Sequence, residues 1–541
     1  MTPREIELNK ICLINPPTST GVWGIYFPMG LVVLGSVLKE RGYAVEIVDF
    51  DLEIRKDPSL CEFSRFREYA LQRLEQSQTQ LFGISSICSN FPASLLLARE
   101  IRRLWPSSRI IMGGPQPSAV PEATLRLCSW VDVIVIGEGE MTLAELVASD
   151  FREESLREIP GVAFRDRGQI IRSSPRNLID DLDKTPFPDF SLVPLEDYLT
   201  FAPGFDLIEA GRGCPFLCSF CSTAIMWERK FRVKSPSRIL EEMRRLNRRY
   251  GLKAFPLTHD NFTTSHSWVS RFCEYFKQNN HERFGWSVAA RSDTLNPDRL
   301  RLLREAGCAG LFFGVDSGSP RVQKALRKHL NLDQFRDHLK IAVSLGLKCT
   351  TSFVIGFPEE SPEDLEATIN LGLWSKLAGA NVTSFHALSP LSGTAIYEQN
   401  ASGLVFDPRK MTDFALQPFV GSETTRLIAS SPELFSSFHS VPTPLLEPLN
   451  VPVFAYFYGE LVNNMTSELK KVFDDTAWSP LELFVRWINW MVDRYGPKNM
   501  NGPFILETFA EFLKLLPPSD HSVLVQEKNP RSEGSFGSAG L

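Results

Sequence analysis

Twice along this chain, short and almost unbroken apolar runs alternate with helical stripes, and that alternation leaves few folds open. A strand that is apolar at nearly every position must be covered on both faces, and a helix between two such strands supplies the cover. Over the first ~150 residues the runs are Lys10–Asn15, Ala44–Asp49, Gln80–Ile87, Arg109–Gly113 and Val131–Gly137. Helices are expected between them at Met29–Arg41, Ala93–Trp105, Pro121–Cys128 and Thr142–Ala148, with Leu97, Ile101 and Leu104 forming one core-facing stripe. Short strand-to-helix connections predict a parallel, doubly wound α/β sheet of Rossmann-like or flavodoxin-like type, with its ligand loops at the carboxyl ends of the strands.

Residues ~151–205 read as a linker. It holds a hairpin over Gly161–Ser173, turning at Asp166–Gly168, and an extended proline-punctuated stretch over Leu182–Phe190. The alternation then resumes over ~206–390. Strands are expected at Leu207–Gly211, Ala254–Thr258, Gly285–Ala289, Gly310–Val315, Lys348–Ile355 and Val382–His386. Six strand–helix units make a partial (β/α)6 barrel, whose active site lies at the carboxyl ends of the strands. Over ~391–520 the alternation gives way to a mainly helical region, with helices at Val453–Phe473, Pro480–Tyr495 and Pro503–Leu516. The middle one carries Ser479 as N-cap, Pro480 in its first turn, Glu482 to close a capping box and Gly496 as its stop. Trp487 and Trp490 fit a core stripe with Leu483 and Met491. Residues 521–541, rich in Ser and Gly, are expected to be a disordered tail.

A length of 541 residues calls for two to four domains at about 100–200 residues each. The net charge of −6 argues against a nucleic-acid or anionic-membrane partner. The start is charged, and the longest apolar runs, such as Gly30–Leu38 and Val451–Leu461, are too short or too broken to span a bilayer. A soluble cytoplasmic protein is expected. The basic run Arg244, Arg245, Arg248 and Arg249 lies opposite Ile239, Met243 and Leu246 on one helix, which is the pattern of a solvated face.

Four loops on the carboxyl edge of the first sheet are rich in glycine and small hydroxyl residues, which let a backbone approach a large polar ligand. They offer Pro16, Pro17 and Thr18 after the first strand, and Ser85 and Ser86 after the third. Gly113, Gly114, Pro115 and Gln116 follow the fourth, and Gly137, Glu138 and Gly139 the fifth. The fingerprint GxGxxG is missing after the first strand, which disfavours a nicotinamide or flavin dinucleotide.

Seven of the ten cysteines are scattered, as small buried hydrophobes are in a reducing compartment. The other three form CxxxCxxC in GRGCPFLCSFCS, Gly211–Ser222, just after the first strand of the second module. Three thiolates on one compact loop can hold a cubane iron–sulfur cluster and leave one iron without a protein ligand. Zinc usually takes four ligands, and no second CxxC or His pair follows.

At this string the chain resembles the radical S-adenosylmethionine superfamily. The resemblance implies that Cys214, Cys218 and Cys221 hold a [4Fe–4S] cluster whose open iron chelates S-adenosylmethionine, with Phe220 near the adenine. It also implies cofactor contacts at later strand ends, from Asp260 and Asn261 and from Arg291. Asp316 and Ser317 follow, although the family often has Glu at position 316, and Ile355 and Gly356 complete the set within Val354–Glu359. NPP, PMGLVVLGSVLKERG, GGPQPS and DVIVIGEGEMTLAEL resemble the cobalamin-binding domain of the cobalamin-dependent group, so cobalamin is the third implied cofactor. The implied activity is methylation of an unactivated carbon, or of phosphorus, in a small molecule or peptide, through a 5′-deoxyadenosyl radical and methylcobalamin. An external electron donor of flavodoxin or ferredoxin type completes the scheme. Acid–base candidates are His259, Asp260 and His386. Alternatives keep the cofactors but rearrange, cyclise or oxidise the substrate, or make the chain a transfer-RNA methylthiotransferase with a second cluster on Cys12, Cys88 and Cys128. The first ~200 residues are expected to bind cobalamin on their own.

Overall fold

The computed structural model describes residues 10–18, 26–149, 151–201, 206–408, 422–442, 450–496 and 501–516. The tail expected at 521–541 lies outside them, as does the rest of the first strand-end loop, 19–25.

The first sheet holds β1 (Lys10–Asn15), β2 (Ala44–Asp49), β3 (Leu81–Ser85), β4 (Arg109–Gly113), β5 (Val133–Val135), β6 (Val162–Asp166) and β7 (Gln169–Arg172). Their spatial order is 2-1-3-4-5-6-7, and the first five run parallel. The reversal beside β1 is the flavodoxin-like arrangement, which opens a ligand crevice at the carboxyl edge. Because successive side chains point to opposite faces, Ile11 and Leu13 enter one core and Cys12 and Ile14 the other. That double burial explains why β1 is apolar throughout.

Two features depart from expectation. The hairpin β6–β7 is not free-standing in a linker but lies antiparallel on β5, giving seven strands in place of five. Helices Phe50–Lys56 and Phe63–Glu75 also fill a stretch that shows little apolar pattern. The second is polar except for a narrow stripe of Phe66, Ala70 and Leu74, four residues apart and buried. The first is started by Asp49, whose carboxylate accepts from the N–H groups of Asp51 (2.9 Å) and Leu52 (3.2 Å).

The second sheet comprises β8 (Ile208–Glu209), β11 (Ala254–Thr258), β12 (Gly285–Ala290), β13 (Cys308–Asp316), β14 (Lys348–Ile355) and β15 (Val382–Ala387). A small antiparallel pair, β9 (Gly211–Arg212) and β10 (Arg232–Val233), follows β8. The six strands are parallel in the order 15-14-13-12-11-8, and β8 and β15 are free edges, so the barrel is open. Trp286, Val288, Leu311, Phe313, Cys349 and Phe353 pack outward against the helices. The opposite face carries mostly small side chains, among them Ser287, Ala289, Gly310, Gly314 and Ser384. A filled barrel is dominated by bulky branched residues, whereas this lumen is left roomy.

The carboxyl-terminal region has two tasks. Helix Val451–Asn464 covers the open edge, where Asn463 accepts from the N–H of Thr383 (3.0 Å) and donates to its carbonyl (2.6 Å) as a neighbouring strand would. The segment before it returns to the first domain, where Phe435 packs on Phe91 and Glu423 pairs with Arg99 at 2.7 Å. The single helix expected over Val453–Phe473 is two, broken at Met465. Ser479 caps its helix by accepting from the Glu482 N–H, but the Glu482 carboxylate pairs with Arg486 instead of closing a capping box. Trp487 is fully buried with Leu483 and Met491. Among the described residues no helix is long and apolar enough to cross a membrane.

Candidate functional site

Backbone crowding dictates the start of the cysteine loop. A Cβ on Gly211 would sit 2.3 Å from the Arg232 carbonyl oxygen, and one on Gly213 only 2.0 Å from that of Lys230. Gly213 also adopts φ +90°, open to glycine at no steric cost. Its N–H donates to the Asp260 carboxylate at 2.6 Å, tying the loop to the end of β11. From there Cys214, Cys218 and Cys221 follow as free thiols, the last exposed. Arg291 Nη1 lies 3.6 Å from Cys218 Sγ. Burial pushes the Cys214 thiol up to about 11 and also raises Cys218, which Lys328 and Arg291 pull back toward the thiolate.

These residues fit a cluster better than a single ion. A lone zinc needs its donors gathered around one point at ~2.0–2.3 Å, and the described residues contain no such group of three or more His, Cys, Asp or Glu. A cubane instead takes its thiolates on separate irons, and its negative charge suits the flanking cations. A second cluster finds no support, since Cys12 and Cys128 lie in the apolar core with thiols pushed up to about 12.

Around the loop, Phe220 packs on Phe357 with ring centroids 5.7 Å apart. Asn261 is buried, with its Oδ1 accepting from the Arg291 N–H (3.2 Å) while its Nδ2 finds no partner among the described residues. The Asp260 carboxyl, held on the Gly213 N–H, is pushed upward by burial. His259 departs from its candidate role. It is 4% exposed beneath the loop, its Nδ1 accepts from the Asn261 N–H (2.9 Å), and burial lowers it to about 4, so it is a neutral packing residue. Asp316 is ion-paired with Lys328, Ser317 is buried against Thr368, and the Ile355 side chain points away from the lumen into the core. Gly356, at φ +94°, donates its N–H to buried Glu360 at 2.7 Å. His386 faces the lumen from β15, opposite Val354 in register.

Between the two sheets lies a cavity of about 440 Å³. The first domain contributes Ser85, Gly113, Gly114, Pro115 and Gly137–Gly139 at its mouth, and Leu13, Gly83, Leu34 and Val135 deeper in. The second contributes Asp206, Glu209, Arg212, Met226, Trp227 and Thr258. The first domain therefore builds only part of the wall, which amends the expectation that it binds its ligand alone. Ser86 and Gln116 also differ from expectation. The Ser86 hydroxyl is buried on Asn90 (3.0 Å) and Ser94 (2.7 Å), and the Gln116 amide donates to the Leu434 carbonyl (2.8 Å). Asn90 donates to the Pro16 carbonyl at 3.3 Å, Pro17 adjoins that loop, and Thr18 is held on Asp51 (Oγ1 2.6 Å).

A buried ion network joins the domains along the wall of the cavity. Arg212 contacts Glu138 (2.6 Å), Glu140 (2.6 Å) and Glu209 (2.8 Å), and Arg232 contacts Glu138 (2.8 Å). Burial alone would push the Glu209 carboxyl up, but Arg212 outweighs it and holds it below the usual range. Trp227 stacks beside both guanidinium groups, at 5.5 and 5.7 Å. The Glu138 carboxylate is thus engaged by protein. Arg212, Trp227 and Lys328 escape a reading of spacing alone, although Arg212 stands inside the cysteine string itself.

Comparison with known proteins agrees with this geometry. The B12 binding domain family matches residues 21–147, and the radical SAM superfamily matches 208–372. An uncharacterised methyltransferase of Pyrococcus horikoshii is 28% identical over 455 residues, 82% of this chain and 95% of its own. The cytidylyl-2-hydroxyethylphosphonate methyltransferase of Streptomyces wedmorensis is 25% identical over 460 residues, 75% of this chain and 84% of its own. Among solved structures, the radical S-adenosylmethionine methyltransferase TsrM of Kitasatospora setae, bound to tryptophan and a SAM analogue, shares the fold with TM-score 0.64 at 19% identity, over 81% of this chain and 86% of its own. Two domains whose ligand edges face one cavity, the first matched by the B12 binding domain family and the second by the radical SAM superfamily, give the chain the domain pair of the cobalamin-dependent radical SAM enzymes.

Proposed function

We propose that the protein is a methyltransferase that adds a methyl group to an unactivated carbon, or to phosphorus, of a small molecule or peptide. One observation carries the reading: Glu209 and Thr258 at the carboxyl ends of β8 and β11, and Arg212 at the start of the cysteine loop, line the same interdomain cavity as the glycine loops of the first sheet. Cys214, Cys218 and Cys221 would hold the [4Fe–4S] cluster. Phe220, Asp260, Asn261, Arg291, Asp316 and the Gly356 backbone would surround S-adenosylmethionine, and the glycine loops would hold cobalamin. Together these groups supply a carbon-centred radical and a transferable methyl group. The chain's own part is to orient and to exclude water. The roomy lumen lined by Ser287, Ala289, Phe312 and Ser384 would seat the substrate opposite His386 and Asp260, the remaining acid–base candidates. The cytoplasm, where an exposed thiol such as Cys221 stays reduced, is the fitting compartment.

The test is the mass of the product formed anaerobically with candidate substrates from the neighbouring genes. A gain of one methylene unit is expected. A product of unchanged composition would favour rearrangement or cyclisation with the same cofactors. Changing all three loop cysteines to Ala should remove the iron and leave cobalamin bound, and a full complement of iron in that variant would overturn the cluster assignment.

A further inference from the structure

The cysteine loop has an outer side that the cleft does not use. Leu217, between the first two cysteines, is 53% exposed at the tip of the loop. The segment after helix Pro320–Ala325 lies directly against it, with the Leu326 carbonyl accepting from the Ser219 N–H at 2.9 Å. This segment is threaded in an unusual way. Arg327 and His329 both adopt φ +54°, in the left-handed region that costs a side-chain-bearing residue energy. The two reversals turn Lys328 inward, where it pairs with Asp316 and flanks Cys218, and leave Arg327 and His329 exposed. The Lys328 carbonyl accepts from Arg291 Nη2 (2.8 Å), and the same guanidinium reaches Cys218 Sγ at 3.6 Å. A short covalent path thus leads from Arg327 on the surface to the group beside a cluster thiol.

Charge on this face runs opposite to that of the protein. The chain carries −6 overall, yet Arg229, bonded to the carbonyl before Leu217, Arg327, next to the Leu326 that holds Ser219, and Lys324 on the preceding helix are all exposed, with no ion pair among the described residues. Arg229 is held in place by donating to the Phe216 carbonyl at 3.0 Å, and the neighbouring Glu228 is already paired with Lys230 at 3.0 Å. An exposed apolar side chain with unpaired cations on its flanking segments is complementary to an acidic surface with an apolar centre.

We propose that this face, formed by Leu217 with Arg229, Lys324 and Arg327 on the segments that hold its loop, is the docking site of an acidic, low-potential one-electron carrier protein. The inference rests on the cluster assignment above. In each transfer the carrier is oxidised by one electron and the cluster is reduced by one, with no proton or group transferred. The inward-facing Arg291 and Lys328 offset the added negative charge.

The experiment uses the full-length protein with its cluster reconstituted, and a purified flavodoxin of net negative charge as the probe. Binding is measured by calorimetry at low and raised ionic strength. Wild-type affinity is expected to fall as salt rises, and K324E/R327E to bind about tenfold or more weakly, with R327K close to wild type. Dithionite, which needs no docking site, should give the same reduced-cluster resonance signal in all three proteins. Binding by the double variant at wild-type strength, or wild-type binding indifferent to salt, would overturn the proposal. Absence of any cluster signal in the wild type would overturn the cluster assignment instead.

Discussion

Arg212 Nη1 lies 2.6 Å from Glu138 Oε1, so the residue that opens the cysteine loop is fastened to the glycine loop at the end of β5. Two domains that must present separate groups to one substrate need a fixed spacing, and here a buried side chain sets it. Arg212 meets two more carboxylates, Glu140 and Glu209, so its removal leaves several acids without their cation.

Arg212→Met should therefore destabilise the protein by about 3–5 kcal/mol, the cost of stranding a buried charge. Glu138→Gln removes the charge facing Arg212 and Arg232 but keeps an acceptor for both and leaves Arg212 two carboxylates, so a milder loss of about 1–3 kcal/mol is expected. Thermal unfolding followed by circular dichroism checks both. A wild-type midpoint for Arg212→Met would show that the network does not hold the domains.

The contrast between Cys218 and His259 shows what a sequence of this kind reveals. Cys214, Cys218 and Cys221 were legible because their relation is covalent: eight residues on one loop stay together whatever surrounds them. The strands were legible for a similar reason, since burial on both faces leaves an unbroken apolar run. His259, also at a strand end, reads as an acid–base group, but its burial is decided by Gly211 and Phe231 packing over it. Ser86 and Gln116 read as ligand contacts because their loops are ligand loops, whereas Ser94 and Leu434 engage them. Trp227 and Asp206 belong to the cavity only through the way the domains meet, and no local pattern encodes that meeting.

Asp49 gives a prediction in pH. Its carboxyl is buried, hydrogen-bonded to the Tyr198 hydroxyl and raised from 3.8 to about 7, with burial as the main cause and Asp51 adding to it. The folded state binds this proton more tightly than the unfolded chain does. The group's stabilisation is thus fully present below the unfolded value near 3.8 and is lost as pH rises through about 7. Asp49→Asn keeps an acceptor for the cap at Asp51 and Leu52 and cannot ionise. As pH rises from about 5 to about 7, the wild type should lose stability relative to the variant, by roughly 1.4 kcal/mol for each pH unit. Parallel melting curves over that range would disprove the assignment.

Gly83 lines the deep part of the cavity beside Leu13, and a Cβ there would lie 2.8 Å from Leu13 Cδ2. Gly83→Leu should fill the slot and cost about 1–3 kcal/mol through overpacking. Retention of cobalamin after desalting should fall at least tenfold, roughly 1.4 kcal/mol or more in binding, while the iron content stays that of the wild type. Unchanged retention would mean that the slot is not part of the cobalamin site.

The last prediction concerns the cobalt. All eight histidines of the chain lie at or beyond His259, so the first domain has no imidazole to offer the metal. His259 is buried, with Nδ1 engaged by Asn261. The first strand-end loop begins Asn15-Pro16-Pro17-Thr18, and its Thr18 is tied to Asp51 rather than free to ligate. The apolar slot of Leu13, Leu34, Gly83 and Val135 offers room for the cofactor's own base away from the metal. The lower face of cobalt should then carry no nitrogen ligand, which eases access to the lower oxidation states that reloading a methyl group requires. Electron paramagnetic resonance of the cobalt(II) form bound to the full-length protein should show no axial nitrogen triplet. A clear triplet would refute this and would point to a retained base or to His386 reaching across from the barrel. Repeating the measurement on His386→Ala separates the two, because that change abolishes the triplet only if the imidazole is its source.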